Sequence, residues 1–137
     1  MGYDTYFNLR VTETPHLFNV KPITNESELE IAQKLYSIIS YGDVLPKVPD
    51  YDTPLEYVFD DAMKWYDYEQ DMKELSKQYP EFYFWLRGDG EESDDLWVAC
   101  FHNGKSCTLC INIDKLFIDL ESKVVEGDWD IDKIINF

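Results

Sequence analysis

Two alternating apolar runs meet at Asn103-Gly104, and no other feature of the chain restricts its fold as much. Asn-Gly is the preferred pair for a two-residue type I′ turn, in which both central residues take positive φ. The pair therefore predicts a hairpin, with a strand from Leu96 to His102 returning from Lys105 to Ile113. It also fixes the register: His102 opposite Lys105, Cys100 opposite Cys107, Val98 opposite Leu109 and Leu96 opposite Ile111. The face built from these pairs reads as continuously apolar and is expected to receive a helix. The other face carries Trp97, Ala99 and Phe101 with Thr108 and Cys110. It is expected to be covered by the C-terminal segment or to form a contact patch, which makes Trp97 and Phe101 candidate partner-binding residues.

The remaining elements follow from period and punctuation. Phe7, Leu9 and Val11 alternate with polar residues and predict a strand over Tyr3–Thr12. A short extended piece is expected around Leu17–Val20. Asn25-Glu26-Ser27-Glu28 reads as a capping box, with Asn25 as the cap. Behind it Leu29, Ala32, Leu35, Tyr36 and Ile39 recur at helical spacing, with Gly42 as a stop. Thr53-Pro54-Leu55-Glu56 starts a second helix, which the pattern carries without a break to Gln78, before Tyr79-Pro80. A strand over Glu81–Arg87 and a polar loop from Gly88 to Asp95 precede the hairpin. A short helix is expected around Leu116–Val124, then a tail in which Trp129, Ile131, Ile134 and Phe137 pack on the body. The sum is one compact domain, residues 1–137, of α+β class: an antiparallel sheet with helices on one face, ferredoxin-like in type.

The chain carries 28 acidic residues against 12 Lys and Arg, a net charge of −16. The excess is local: 15 acidic and four basic residues fall between Asp50 and Asp95. Crowded like charges repel and lower stability, so the cluster serves either solubility or a basic partner. On a continuous helix from Pro54 to Gln78, Glu56, Asp60, Asp67, Asp71 and Glu74 would share one face opposite Val58, Ala62, Trp65, Met72 and Leu75. That stripe and the loop residues Asp89, Glu91, Glu92, Asp94 and Asp95 are the candidate partner-binding carboxylates. At 45% hydrophobic and 16% aromatic residues the chain is too apolar for a disordered acidic tail. Direct nucleic-acid binding is not expected, because phosphates need a basic stripe. No apolar run approaches the roughly 20 residues that span a bilayer, and the first residues do not form a signal peptide. A cytoplasmic protein without a membrane role is the expectation.

Little points to chemistry. Cys100, His102, Cys107 and Cys110 are zinc-ligand types at short spacing. Cys107 and Cys110 are an odd number of residues apart on one strand, however, and so face opposite ways. The loop after Gly88 fails the EF-hand pattern, since Asp94 stands in the glycine position and Cys100 in that of the final Glu. No nucleophile elbow, P-loop or paired metal histidines occur. Neither a metal, a cofactor nor an enzymatic activity is expected.

The segment Trp65–Cys110 resembles a group of small, mostly uncharacterised proteins of bacteriophages and prophages. The similarity lies in Ser76-Lys77-Gln78-Tyr79-Pro80, Gly88-Asp89-Gly90-Glu91-Glu92, Asp95-Leu96-Trp97 and Phe101-His102-Asn103-Gly104-Lys105. It covers about a third of the chain and concerns helix ends and turns. The resemblance implies a small α+β domain with a helix on an antiparallel sheet, and it assigns no catalytic residue. It also implies a function, because small acidic phage proteins are often inhibitors of host defence or DNA-handling proteins, and some imitate the charge of DNA. The expected partner is thus a basic, nucleic-acid-binding host protein such as a CRISPR effector. The alternative is an interaction or self-assembly module that uses the aromatic hairpin face.

Overall fold

A computed structural model of the chain describes residues 4–40, 54–59, 61–92 and 95–127. Four strands form one antiparallel sheet: β1 (Thr5–Thr12), β2 (Tyr83–Gly90), β3 (Leu96–His102) and β4 (Lys105–Cys110), in the order β1-β2-β3-β4. The helices are α1 (Asn25–Ile39), α2 (Pro54–Val58), α3 (Tyr68–Gln78) and α4 (Ile113–Glu126). The class is α+β, as the sequence predicts. The strand order is that of a meander in which each strand pairs with the next. A ferredoxin-like sheet requires split βαβ crossovers and an interleaved order, so that part of the expectation is corrected. Its reason is the hairpin connection of β2 to β3 and of β3 to β4, which leaves no helix between them to carry a crossover.

The Asn103-Gly104 turn forms as expected, with φ of 47° and 80°. Cys100 opposes Cys107, Val98 opposes Leu109 and His102 opposes Lys105. The turn is also fastened to α3. Ser76, fully buried, accepts a hydrogen bond from the Gly104 N–H at 2.8 Å, and its hydroxyl donates to the Lys73 carbonyl at 2.7 Å. Ser76→Ala removes the acceptor and leaves the turn N–H unpaired. A loss of about 1–3 kcal/mol in urea unfolding is the expected result. An unchanged denaturation midpoint would show that the clamp contributes nothing.

The two faces of the hairpin are reversed from the expectation. Trp97, Ala99 and Phe101 point into the core with Phe7, Leu9, Val11, Phe84 and Leu86. Val98 and Leu109 stand on the outer face, 49% and 59% exposed. Both faces of the hairpin are rich in apolar residues, so the local pattern does not decide which is covered. The neighbouring strands decide it, because β1 and β2 present Phe7, Leu9, Phe84 and Leu86 on the same side as Trp97 and Phe101. Helix α3 lays Met72, Leu75 and Ser76 against that side. Ile31, Ala32 and Leu35 of α1 close the core.

The long helix expected over Pro54–Gln78 is interrupted. Helix α2 ends at Val58 and α3 begins at Tyr68. On one straight helix Phe59 and Met63 would fall outside the apolar stripe. The break lets Phe59 bury itself against Trp65, with ring centroids 6.0 Å apart, and against Phe7 at 6.3 Å. It also lets Met63 pair with Thr5 through two backbone hydrogen bonds of 3.0 and 2.9 Å. Asp60-Asp61 is a poor helical sequence, and the Asp61 carboxylate accepts from the next backbone N–H instead.

Smaller differences have similar local causes. The cap of α1 is Thr24, whose hydroxyl accepts from the Ser27 N–H, rather than Asn25. Glu28 reaches across to accept from the Leu55 N–H at 3.4 Å and so ties α1 to α2. No strand forms at Leu17–Val20, where Asn19 takes φ of 58°. Strand β2 runs on to Gly90, so Gly88 and Asp89 belong to the sheet and the loop is shorter than expected. Helix α4 is longer than expected, capped by Asn112 and closed by Gly127 at φ 77°. The proposed caps Gly42 and Thr53 and the tail residues Trp129, Ile131, Ile134 and Phe137 lie outside the described residues.

Candidate functional site

The interruption between α2 and α3 reorganises the expected acidic stripe. Glu56 is exposed on α2, near Glu28. Burial pushes the Glu28 carboxyl above its ordinary range, the Leu55 N–H opposes this, and the field of Glu56 adds to it. Asp67 is the exposed residue at the start of α3, and its side chain makes no capping bond. Asp71 turns partly inward and accepts from the Trp65 indole N–H at 2.7 Å. Glu74 is exposed and is shared between Gln70 and Lys77, each at 3.3 Å. Glu56 therefore stands on a different helix from Asp67, Asp71 and Glu74, and the described carboxylates of the stripe do not share one helix face. Asp60 and Asp94 lie outside the described residues.

A different gathering takes its place. The Thr5–Met63 bridge brings the start of β1 beside the segment that leads into α3. Asp4, Asp67 and Asp71 then line one groove of about 440 Å³ with Lys64, Trp65 and Tyr66. Lys64 binds Asp4 at 2.7 Å, and Glu91 from the β2–β3 loop accepts from the Asp4 N–H at 3.0 Å. The hydrogen bond from Lys64 to Asp4, and then the field of Asp4, hold the ammonium above its usual range. Nearby, burial raises the Tyr68 phenol, with smaller contributions from Glu69, Cys110 and Asp95. The exposed Glu91 and Glu92 and the half-buried Asp95 belong to this end of the sheet. Asp89 points to the outer sheet face, 4.0 Å from Arg87. Asp4, Lys64 and Tyr66 carry no local signal that marks them. They meet Glu91 only through a pairing between positions far apart in sequence.

Trp97 and Phe101 are corrected as contact residues. Trp97 is 8% exposed and Phe101 is fully buried. The indole stacks on Tyr68 at 4.5 Å and meets Phe7 edge-on at 6.0 Å. Their role is the core, because α3 covers the side on which they stand.

Among the described residues no helix covers the outer sheet face. It presents Tyr6, Asn8, Arg10, Trp85, Arg87, Val98, Cys100, Cys107 and Leu109. Cys110 lies on the opposite side from Cys107. Among the described residues no three His, Cys, Asp or Glu side chains come close enough to hold a metal ion, and no helix is long and apolar enough to cross a membrane. No protein-family model, curated protein or solved structure matches the chain.

Proposed function

We propose that this protein is a binding module that sets an acidic surface against a basic, nucleic-acid-binding partner and inhibits it without chemistry of its own. The observation that carries this reading is the groove at the start of β1, where Asp4, Asp67 and Asp71 converge, flanked by Glu91, with Lys64 as the cation among its lining residues. Carboxylates fixed at such an edge steer a basic partner and select against acidic ones. In the setting that the phage-protein resemblance implies, the partner is a host defence protein such as a CRISPR effector. The carboxylates would then partly imitate DNA phosphates inside the host cytoplasm. Tyr66, exposed on the groove, would supply an aromatic anchor, since such side chains hold a complex that charge has steered.

The test is competition with DNA for a purified CRISPR effector, followed as salt rises. Asp67→Asn with Glu91→Gln is expected to slow association by about tenfold and to flatten its salt dependence. Glu13→Gln with Glu81→Gln, exposed acids elsewhere, should leave association within about twofold. Equal effects of the two pairs, or no effect of either, would reduce the charge to a solubility device. The second reading, an interaction or self-assembly module without charge mimicry, is favoured by the open sheet face rather than by Trp97 and Phe101.

A further inference from the structure

Among the described residues, eleven large hydrophobic side chains are exposed. Nine of them fall on two surfaces. Tyr6, Phe18, Val98 and Leu109 belong to the open side of the sheet, and Phe117, Ile118, Leu120, Val124 and Val125 belong to α4. Exposed apolar area concentrated in this way marks an interaction surface, whereas scattered single residues do not. On α4 the residues Ile113, Leu116, Phe117, Leu120 and Val124 fall within one stripe of the helical wheel. No residue of the helix is buried. The open sheet face holds a shallow groove of about 530 Å³ lined by Leu17, Phe18, Trp85, Val98 and Leu109.

The two surfaces are opposite in charge. Arg10 and Arg87, the only arginines in the chain, both stand on the open face, with Lys105 on the same face opposite His102 and Asp89 as the acid. A basic face is unexpected on a protein of net charge −16. Helix α4 carries Asp114, Asp119, Glu121 and Glu126 against Lys115 and Lys123. The open face is thus apolar with a positive excess, and the helix is apolar with a negative one.

Helix α4 has no substantial contact with the sheet of its own chain. Only Ile111 and Asn112 separate β4 from α4. Ile111 is still bonded to the Leu96 carbonyl at 2.9 Å, and Asn112 caps the helix by accepting from the Lys115 N–H. The exit direction is fixed on both sides of the joint. A helix of 14 residues is about 21 Å long, enough to cross four strands spaced about 4.8 Å apart.

We propose that the chain forms a two-fold dimer in which α4 of each copy lies across the open sheet face of the other. The apolar stripe of α4 covers Val98, Leu109 and Phe18, and its carboxylates meet Arg10 and Arg87. The exchange is reciprocal, so it uses the two surfaces left exposed among the described residues of each copy and closes without leaving a sticky end. It involves neither the acidic groove nor its partner, and it stands or falls separately from the proposed inhibition.

Sedimentation of the full chain over a range of concentrations tests this. The expected species has twice the 16.2 kDa mass of the chain. Leu120→Glu on α4 and Val98→Glu on the sheet both alter exposed positions, so circular dichroism should remain native. Each should raise the dimer dissociation constant by at least about tenfold, the equivalent of about 1.4 kcal/mol. Arg87→Glu should weaken the dimer, and Glu121→Lys added to it should restore part of the loss. Alkylation of Cys107, exposed on the open face, should slow as native protein is concentrated and stay fast in Leu120→Glu. A monomer at every concentration overturns the proposal. So does a dimer that survives both glutamates, or one broken by only one of them, which would indicate helix–helix or sheet–sheet contact instead.

Discussion

Gly88→Ala should destabilise the protein by about 3 kcal/mol or more, near or beyond the usual upper range for overpacking. Gly88 lies in β2 directly opposite Trp97, and the indole occupies the space above it. A methyl group there would stand 2.1 Å from two of the indole carbons. The indole cannot give way easily, because its other side stacks on Tyr68 at 4.5 Å and its edge meets Phe7. The sign of the effect is informative. Where a strand glycine has free space, alanine stabilises by roughly 0.5–1 kcal/mol, since it loses less backbone freedom on folding. Urea unfolding, with near-ultraviolet circular dichroism as a monitor of the tryptophans, decides between the two. A neutral or stabilising Gly88→Ala would mean that Trp97 is not seated over the glycine, and the packing of α3 on the sheet would need revision.

The legible parts of this fold were those governed by neighbours in sequence. Asn103-Gly104 determines a turn whose two positive φ angles few other pairs adopt, and with it the register of four cross-strand pairs. Phe7, Leu9 and Val11 declare the buried side of β1 by alternation alone. Tyr79-Pro80 ends α3 where a proline must. Failures began where two local patterns were equally good. Val98 and Leu109 form as apolar a row as Trp97, Ala99 and Phe101, and only the alignment with Phe84 and Phe7 across the sheet breaks the tie. Between Phe59 and Trp65 the helical period continues in the sequence, yet burying Phe59 and pairing Met63 with Thr5 outweighs one more turn of helix. The acidic groove was illegible for the same reason. Asp4, Asp67 and Glu91 are brought together by β1 meeting two distant segments. The charge excess between Asp50 and Asp95 takes in Asp67, Asp71 and Glu91 but does not extend to Asp4, which binds Lys64.

Phe101→Ala should cost about 3–5 kcal/mol, whereas Val98→Ala, three residues away on the same strand, should cost no more than about 0.5 kcal/mol. Phe101 is fully buried and pairs with Phe84, which is also fully buried, across β2 and β3. Removing its ring leaves a cavity under α3 that Met72 and Leu75, both held on a helix, fill only in part. Val98 projects from the other side of the sheet and is about half exposed in the single chain, so at concentrations where the chain is monomeric truncation there removes little buried surface. A domain of ordinary stability has only about 5–15 kcal/mol in total. Phe101→Ala therefore threatens folding at 37 °C, and Val98→Ala does not. The contrast separates core from contact surface without knowledge of any partner. Were Phe101 a contact residue, its alanine variant would stay folded and lose only binding. Were the open face part of the core, Val98→Ala would show the larger loss. Thermal and urea unfolding of the two variants read out the orientation of the sheet directly. The seat proposed for α4 on the outer face depends on that orientation.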